Sequence, residues 1–316
     1  MSVFDVGYRS WTGHRAPASM RWITIATTGI ALVWRGNWFR WTAMLTWLPV
    51  FVAAAGFFGY EQSIIQPQAR RNLARFISRN VDNPELAALV LSDPGSARHE
   101  VWSTILMTFF RYPQAIAMVL IVGLIAPRSI SYDLRSRAYL LYFSRPLAIW
   151  EYILGKLSII WFYLFLITTL PALLLYCLGV LLSPDWSVVE TTWDLPLRIL
   201  GASLVLLIPT ASLALAYSSL TIESRFATLA WIATWIMGAI AYAVLTASSA
   251  DNWEATFRSD RWQFLSLYHI SGAVQEWIFG LNPAIDRMLP YLCILCVLTG
   301  LSLFTIYFRL SRTLKT

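Results

Sequence analysis

A cysteine pair and a glycine-alanine-serine run have the residue types and spacing to perform chemistry. Cys293 and Cys296 form a C-x-x-C pair, which in other settings binds metal or undergoes thiol–disulfide exchange. Their neighbours in PYLCILCVLTG supply no histidine, acid or third thiol, so we interpret both as small residues packed in an apolar helix. Ser203 in the 201–203 run has no histidine or lysine in a partner span to activate it as a nucleophile.

A glycine–lysine pair at Gly155 and Lys156 resembles the end of a phosphate-binding loop. Such a loop has another glycine five positions before the second one and Ser or Thr after the lysine. Here those places hold Trp150 and Leu157, so the sequence predicts no nucleotide site. The zinc motif H-E-x-x-H is absent, and the three histidines are too scattered to ligate haem as a pair. We therefore expect no enzyme, and no catalytic, metal or cofactor site, in this chain.

The composition indicates which elements carry these residues. The chain is 58% hydrophobic and 13% charged, whereas about a quarter of the residues of a soluble protein are charged. Six windows of about 19 residues lack a central charge, and each is close to the ~20 residues that cross a bilayer as a helix. They lie at about 41–59, 113–131, 157–178, 199–217, 227–247 and 288–308. We predict one all-α integral membrane domain over residues 1–316, with six transmembrane helices.

The orientation follows from the distribution of charge. The first 20 residues contain no apolar signal segment, which predicts a cytosolic N-terminus, and an even number of spans returns the C-terminus to the same side. The segments on that side then carry 14 Lys and Arg residues against 4 acids, and the outer segments carry 10 against 13. The net charge of +7 is thereby explained by contact with anionic lipids, so we expect membrane lipids and no nucleic acid as partners.

Three segments outside the spans have their own patterns. Residues 1–40 are read as a cytosolic leader followed by an amphipathic helix in the membrane interface, with the start of the first span as the alternative. The outer segments, about 60–112 and 248–287, interleave aromatic and charged residues, which favours surface or interfacial helices. In the first of them, QARRNLARFISRN predicts an amphipathic helix.

A further segment, DLRSRAYLLYFSRPLAIWEYILGK at 133–156, lies between the second and third spans and is expected to face the cytosol. Asp133 and Arg137 are four residues apart and could pair along a helix. Pro146 should end that helix, and Ile149 should begin the one that enters the third span. Arginine and aromatic side chains are enriched at protein contacts, which favours a docking surface over a loop that only fixes topology.

The same region carries a resemblance. GLIAPRSISYDLRSRAYLLYFSRPLAIWEYILGK at 123–156 resembles the second-span exit and cytosolic coupling segment of bacterial ABC transporter permeases of the type-2 exporter class, and FDVGYRSWTGHR at 4–15 is similar to the leader of some of them. The matching positions are Asp133, Arg135, Ser136, Ala138, Tyr142, Ser144, Arg145, Pro146, Glu151, Tyr152, Gly155 and Lys156. The first outer segment is longer than is common in that family, so we assign no substrate by analogy.

The resemblance implies a permease subunit of an ATP-driven exporter in the bacterial inner membrane. Two such subunits, identical or related, would pair with two cytosolic ATPase subunits that bind ATP and Mg²⁺. Coupling would involve a helix between spans two and three and, as a lesser contact, the TIESR turn at 221–225. The residues implied in coupling are Asp133, Arg135, Arg137, Tyr139, Tyr142, Phe143, Arg145, Pro146, Glu223 and Arg225.

Two alternatives come from other classes of protein. A membrane scaffold or assembly factor would use the same inner segment to bind a partner that is not an ATPase. A secondary carrier is less favoured, because the predicted span cores contain no ionisable residue with which to couple transport to protons or ions.

Overall fold

The computed structural model describes residues 20–80, 83–143, 147–247, 262–282 and 285–313. Within these ranges all the regular structure is helical, which confirms the predicted all-α class. The leader motif at 4–15, Arg145, Pro146 and residues 248–261 of the second outer segment lie outside the described residues. The helices of the first half are α1 (Arg21–Trp34), α2 (Asn37–Leu45), α3 (Leu48–Ile65), α4 (Pro67–Asn80), α5 (Pro84–Ser92), α6 (Arg98–Phe109), α7 (Ala115–Ser129), α8 (Ser131–Arg135) and α9 (Tyr139–Phe143). Those of the second half are α10 (Ile149–Leu164), α11 (Leu170–Leu182), α12 (Val188–Thr192), α13 (Leu195–Leu220), α14 (Ser224–Ala247), α15 (Leu267–Ile278) and α16 (Ile285–Thr313).

Six helical stretches in the described residues are long and apolar enough to cross a membrane. Each predicted window lies inside one of them, although several of the stretches extend well beyond the predicted ends. We number them one to six along the chain: Asn37–Ile65, Arg98–Arg135, Ile149–Leu182, Ser187–Leu220, Ser224–Ala247 and Met288–Thr313.

Span two contains a wide, π-helical turn at Phe110–Gln114 that joins α6 to α7. Pro113 lies within this turn and has no backbone N–H to donate to the helix. A turn with an extra residue lets the helix continue past the proline. The helical stretch that contains the second span therefore begins at Arg98, before the predicted window that starts at residue 113.

Span four lies at the centre of the bundle. In its most apolar part 72% of the residues are buried, against 17%, 11% and 22% in spans one, five and six. Its helix α13 packs against α16, α7 and α10. The exposed faces of the outer spans are apolar, as in Phe51, Met237 and Phe304, which is the pattern expected of helices that face lipid.

The buried side chains form two hydrophobic clusters. The larger one includes Met118, Ile160 and Trp231, and the smaller one includes Phe57 and Trp102. The helices of the first outer segment, α4 and α5, complete the smaller cluster. In α4 Ala74 and Ile77 are buried while Arg71 and Arg75 are exposed, which confirms the amphipathic helix that the sequence predicts there.

Helix α1 runs beside α10 in the same direction. A Cβ on Gly29 would collide with Cδ1 of Ile159, so the Ile159 side chain fills the space beside this glycine. Further along, the Tyr163 hydroxyl donates to the carbonyl oxygen of Ile30 over 2.7 Å, and its ring stacks on that of Trp34. The N-terminal helix is therefore fixed to the first half of span three, and Arg35 and Gly36 separate it from span one.

Candidate functional site

The segment after span two folds as two short helices, α8 and α9, rather than as one. Helix α8 ends with the N–H of Ala138 donating to the carbonyl of Asp133 and the N–H of Arg137 donating to that of Leu134. This is the Schellman arrangement, whose left-handed position usually holds glycine, and here Arg137 occupies it with φ 55°. The predicted pairing of Asp133 with Arg137 along a continuous helix is therefore wrong, because the helix ends before Arg137.

Asp133 pairs instead with Lys156 of span three. Lys156 Nζ lies 2.7 Å from Asp133 Oδ2, and both side chains are about nine-tenths buried. The Tyr152 hydroxyl donates to the same oxygen over 2.7 Å, and Lys156 also donates to the Ser129 carbonyl at 2.9 Å. Asp133 therefore holds the segment against span three and is not itself exposed to a partner.

The aromatic residues of α9 lie against this pair. The rings of Tyr142 and Phe143 are 5.6 and 5.7 Å from that of Tyr152, and Lys156 Nζ is 5.9 Å from the ring of Tyr142. Burial, and secondarily the nearby carboxylate of Asp133, raises the pKa of Tyr142, so its hydroxyl stays protonated. Tyr142 and Phe143 thus position α9, while Tyr139 is half-buried.

Arg135 joins the segment to the turn before span five. Its guanidinium lies 3.5 Å from the carboxylate of Glu223, and Arg225 lies 3.7 Å from the other oxygen of the same carboxylate. The side chains of Arg135 and Arg225 are 64% and 85% exposed. The structure therefore brings together the two segments that the sequence singles out and leaves their arginines open to solvent.

Ser218, near the end of span four, is a functional candidate that sequence reasoning missed. Its Oγ accepts the N–H groups of Ile130 and Ser131, each over 3.0 Å, and donates to the Pro127 carbonyl at 3.0 Å. The Ser131 hydroxyl also donates to Pro127. The end of span two is thus hydrogen-bonded to a side chain of span four, a contact that no pattern in the sequence indicates.

Three exposed apolar or aromatic residues on these segments were also not selected from the sequence. Tyr132, Leu140 and Ile222 are 66%, 53% and 57% exposed. Exposed side chains of this kind beside arginine are typical of protein contacts. Which residues of these segments are exposed and which are buried depends on how the helices pack, so the sequence alone did not distinguish them.

The start of span three agrees with the sequence prediction. Helix α10 begins at Ile149, and the carboxylate of Glu151 accepts the N–H of Ala148 over 2.9 Å. This bond satisfies one of the free N–H groups at the helix start. Arg145 and Pro146, the other predicted coupling residues, lie outside the described part of the chain.

A second group of charged side chains lies where the turn in span two meets α15. Arg111 is 3.9 Å from Glu276 and stacks on the ring of Tyr268 at 4.6 Å. Burial, with Arg111 as a secondary cause, lowers the pKa of His269 from 6.5 to about 4. His269 is therefore neutral at physiological pH. Its ring lies 3.7 Å from that of Tyr242.

No family model matches the chain, and no curated protein matches it. The described residues also contain no group of three or more His, Cys, Asp and Glu side chains that could hold a metal ion.

Proposed function

We propose that the chain is the membrane-spanning subunit of an ATP-driven ABC exporter and that its candidate docking surface binds a separate ATPase. This surface consists of residues 131–143 together with the turn at 221–225. The main observation in support of the proposal is the contact of Arg135 with Glu223. It joins two segments that are far apart in the sequence into one continuous surface.

The connections of this surface suit the transmission of a force. Asp133 ties it to span three through Lys156, and Ile130 and Ser131 tie it to span four through Ser218. Residues 221–225 connect span four to span five. A partner that pulled on the surface would therefore act on spans two to five together, which a loop that only fixes topology does not require.

The remaining features of the proposal follow from the resemblance to the permease family. The docking surface and both termini would face the cytosol of a bacterium, with α1 on the cytosolic side beside the first half of span three and α8–α9 as the coupling helix. Two subunits would form the translocation path, and ATP and Mg²⁺ would bind to the ATPase partners. Arg135, Arg137 and Arg225 would contact the ATPase, whereas Asp133, Tyr142 and Phe143 would hold the surface in shape.

The competing proposal is a scaffold or assembly factor. It is supported by the same exposed arginines and aromatic residues, because these suit any protein partner. The two proposals differ in whether the bound partner hydrolyses ATP and whether hydrolysis depends on this surface.

The test is purification of the tagged full-length chain from membranes of its native host, followed by photolabelling with azido-ATP and measurement of ATP hydrolysis. We expect a labelled partner whose hydrolysis, after reconstitution in vesicles, differs between the wild type and the Arg135→Glu variant. Arg309→Glu, a charge reversal at an exposed arginine of span six, is the matched control. A stable complex with no labelled subunit, or equal hydrolysis by all three proteins, would contradict the exporter and favour the scaffold.

A further inference from the structure

A cavity of about 630 Å³ lies among α1, α2, the end of α7 and the start of α10. Most of its wall is apolar, and the polar groups are concentrated at one end. The apolar part is lined by Leu32, Val33, Trp38, Phe39, Leu124 and Ile159. The polar end is lined by Arg128, Ser129, Tyr132, Asp133 and Lys156. A volume of this size is typical of pockets that hold small molecules.

The rim of the cavity opens to the side of the bundle. Trp38 and Leu32 are 86% and 68% exposed, and Trp38 belongs to span one, which is among the least buried of the six. Apolar side chains this exposed on a membrane-crossing helix meet lipid rather than water. The cavity is therefore accessible from the bilayer, and an acyl chain can cover its apolar wall.

The polar end has an excess of positive charge. Lys156 is neutralised by Asp133, whereas Arg128 is exposed and has no ion-pair partner in the part of the chain that the structure describes. The Lys156 ammonium uses two of its three N–H groups on Asp133 and Ser129 and has a third to donate. Arginine and lysine together suit the oxygens of a phosphate group.

We propose that this cavity is a binding site for an anionic phospholipid of the surrounding membrane. Its phosphate would be held by Arg128 and the free N–H of Lys156, and one acyl chain would lie along Leu124, Leu32 and Trp38. Basic pockets between transmembrane helices are known sites of anionic lipid headgroups. The proposal does not depend on the exporter function, because it needs only a helical bundle embedded in lipid.

The site also adjoins the candidate docking surface. Tyr132, Asp133 and Lys156 line the cavity, and the latter two form the ion pair that holds the docking surface on span three. A lipid phosphate at Lys156 therefore touches the group that fixes this surface in place. Lipid binding is expected to stabilise the attachment of α8 to α10.

The test is native mass spectrometry of the full-length chain exchanged into detergent with dioleoyl phosphatidylglycerol or dioleoyl phosphatidylcholine. These two lipids have the same acyl chains and differ in the charge of the headgroup. We expect the anionic lipid to be retained more strongly and Arg128→Glu to reduce that preference about tenfold, as the loss of a charge-assisted bond to phosphate does. Arg128→Lys should keep most of the preference, and Arg309→Glu should keep all of it, because Arg309 is not among the residues that line the cavity.

Two further arms test the acyl-chain part of the site. Leu124→Trp fills the apolar wall without changing any charge and should lower retention of both lipids, whereas glycerol 3-phosphate should not displace bound lipid. Equal retention of the two lipids by the wild type would overturn the proposal. So would an unchanged preference in Arg128→Glu, an equal loss in Arg309→Glu, or displacement by glycerol 3-phosphate.

Discussion

Gly155 of span three lies directly against the backbone of Trp22 in α1. A Cβ on Gly155 would be 3.0 Å from the Trp22 carbonyl oxygen and 2.9 Å from Cβ of Ile25. Neither atom belongs to the end of a flexible side chain, so a larger residue would have to move the helix itself. The close packing of α1 on span three therefore depends on glycine at this position.

Gly155→Ala should destabilise the protein by about 1–3 kcal/mol, the usual result of inserting a methyl group into a tightly packed contact. The measurement is the thermal unfolding midpoint in detergent. Gly300→Ala is the matched control, because a Cβ there meets no atom within 4 Å and alanine favours a helix by about 1 kcal/mol over glycine. A similar midpoint in both variants would show that α1 does not pack on span three in this way.

Asp133→Ala should destabilise the protein by about 3–5 kcal/mol, because it leaves the buried ammonium of Lys156 without its partner. The double variant Asp133→Leu/Lys156→Met removes both charges and should recover most of the loss. Thermal unfolding of the three proteins measures this. If the double variant is as unstable as the single one, packing rather than charge pairing accounts for the effect.

Reversal of charge at Arg135 should separate stability from partner binding. The pair with Glu223 is exposed, so Arg135→Glu should change the unfolding free energy by less than about 1 kcal/mol. Binding of the proposed ATPase partner should weaken about tenfold, as expected for an interface arginine. The swap Arg135→Glu/Glu223→Arg restores the internal pair but not the surface charge at 135. If the swap variant recovers binding, the ion pair between positions 135 and 223 only maintains the shape of the surface, and Arg135 does not contact the partner directly.

Arg137→Gly should raise stability by about 1 kcal/mol, because glycine adopts the left-handed conformation without the cost that a Cβ brings. If the Arg137 side chain contacts the ATPase, binding should weaken in the same variant. Both quantities are measured on one preparation, by thermal unfolding and by co-purification. Unchanged binding would remove Arg137 from the docking surface.

Acidification should destabilise the region around α15. Between pH 6.5 and about 4 His269 binds a proton in the unfolded chain but not in the folded one, so stability falls as the pH falls through this range. The measurement is the difference in unfolding midpoint between pH 7.5 and pH 5. In His269→Phe, which keeps a ring against Tyr242, this difference should be smaller. An identical pH dependence in the variant would contradict the assignment.

The sequence predicted those parts of the fold that depend on local properties. Six apolar windows correspond to six long helices, and the helix break before span three ends at Ile149 as expected. The partner of Asp133 could not be predicted in this way, because the i,i+4 rule considers only residues on one continuous helix. Lys156 reaches Asp133 only when span three packs against span two.

Contacts between distant segments of the candidate site could not be predicted from the sequence either. Arg135 and Glu223 were singled out separately, by resemblance, and nothing in the sequence indicates that they touch. Their contact requires the end of span two and the start of span five to lie at the same end of the bundle. The role of Ser218 is equally invisible, since most serines in apolar helices bond to their own backbone.

The hydroxyl of Ser218 has one proton and two lone pairs, and the three bonds at the end of span two use all of them. A rotation of α13 that α7 does not share would carry this hydroxyl away from the N–H groups of Ile130 and Ser131 and break both bonds. Each N–H group left unpaired in this way costs about 1–3 kcal/mol. At this end of the molecule the rotations of spans two and four are therefore coupled, because turning one without the other costs these bonds.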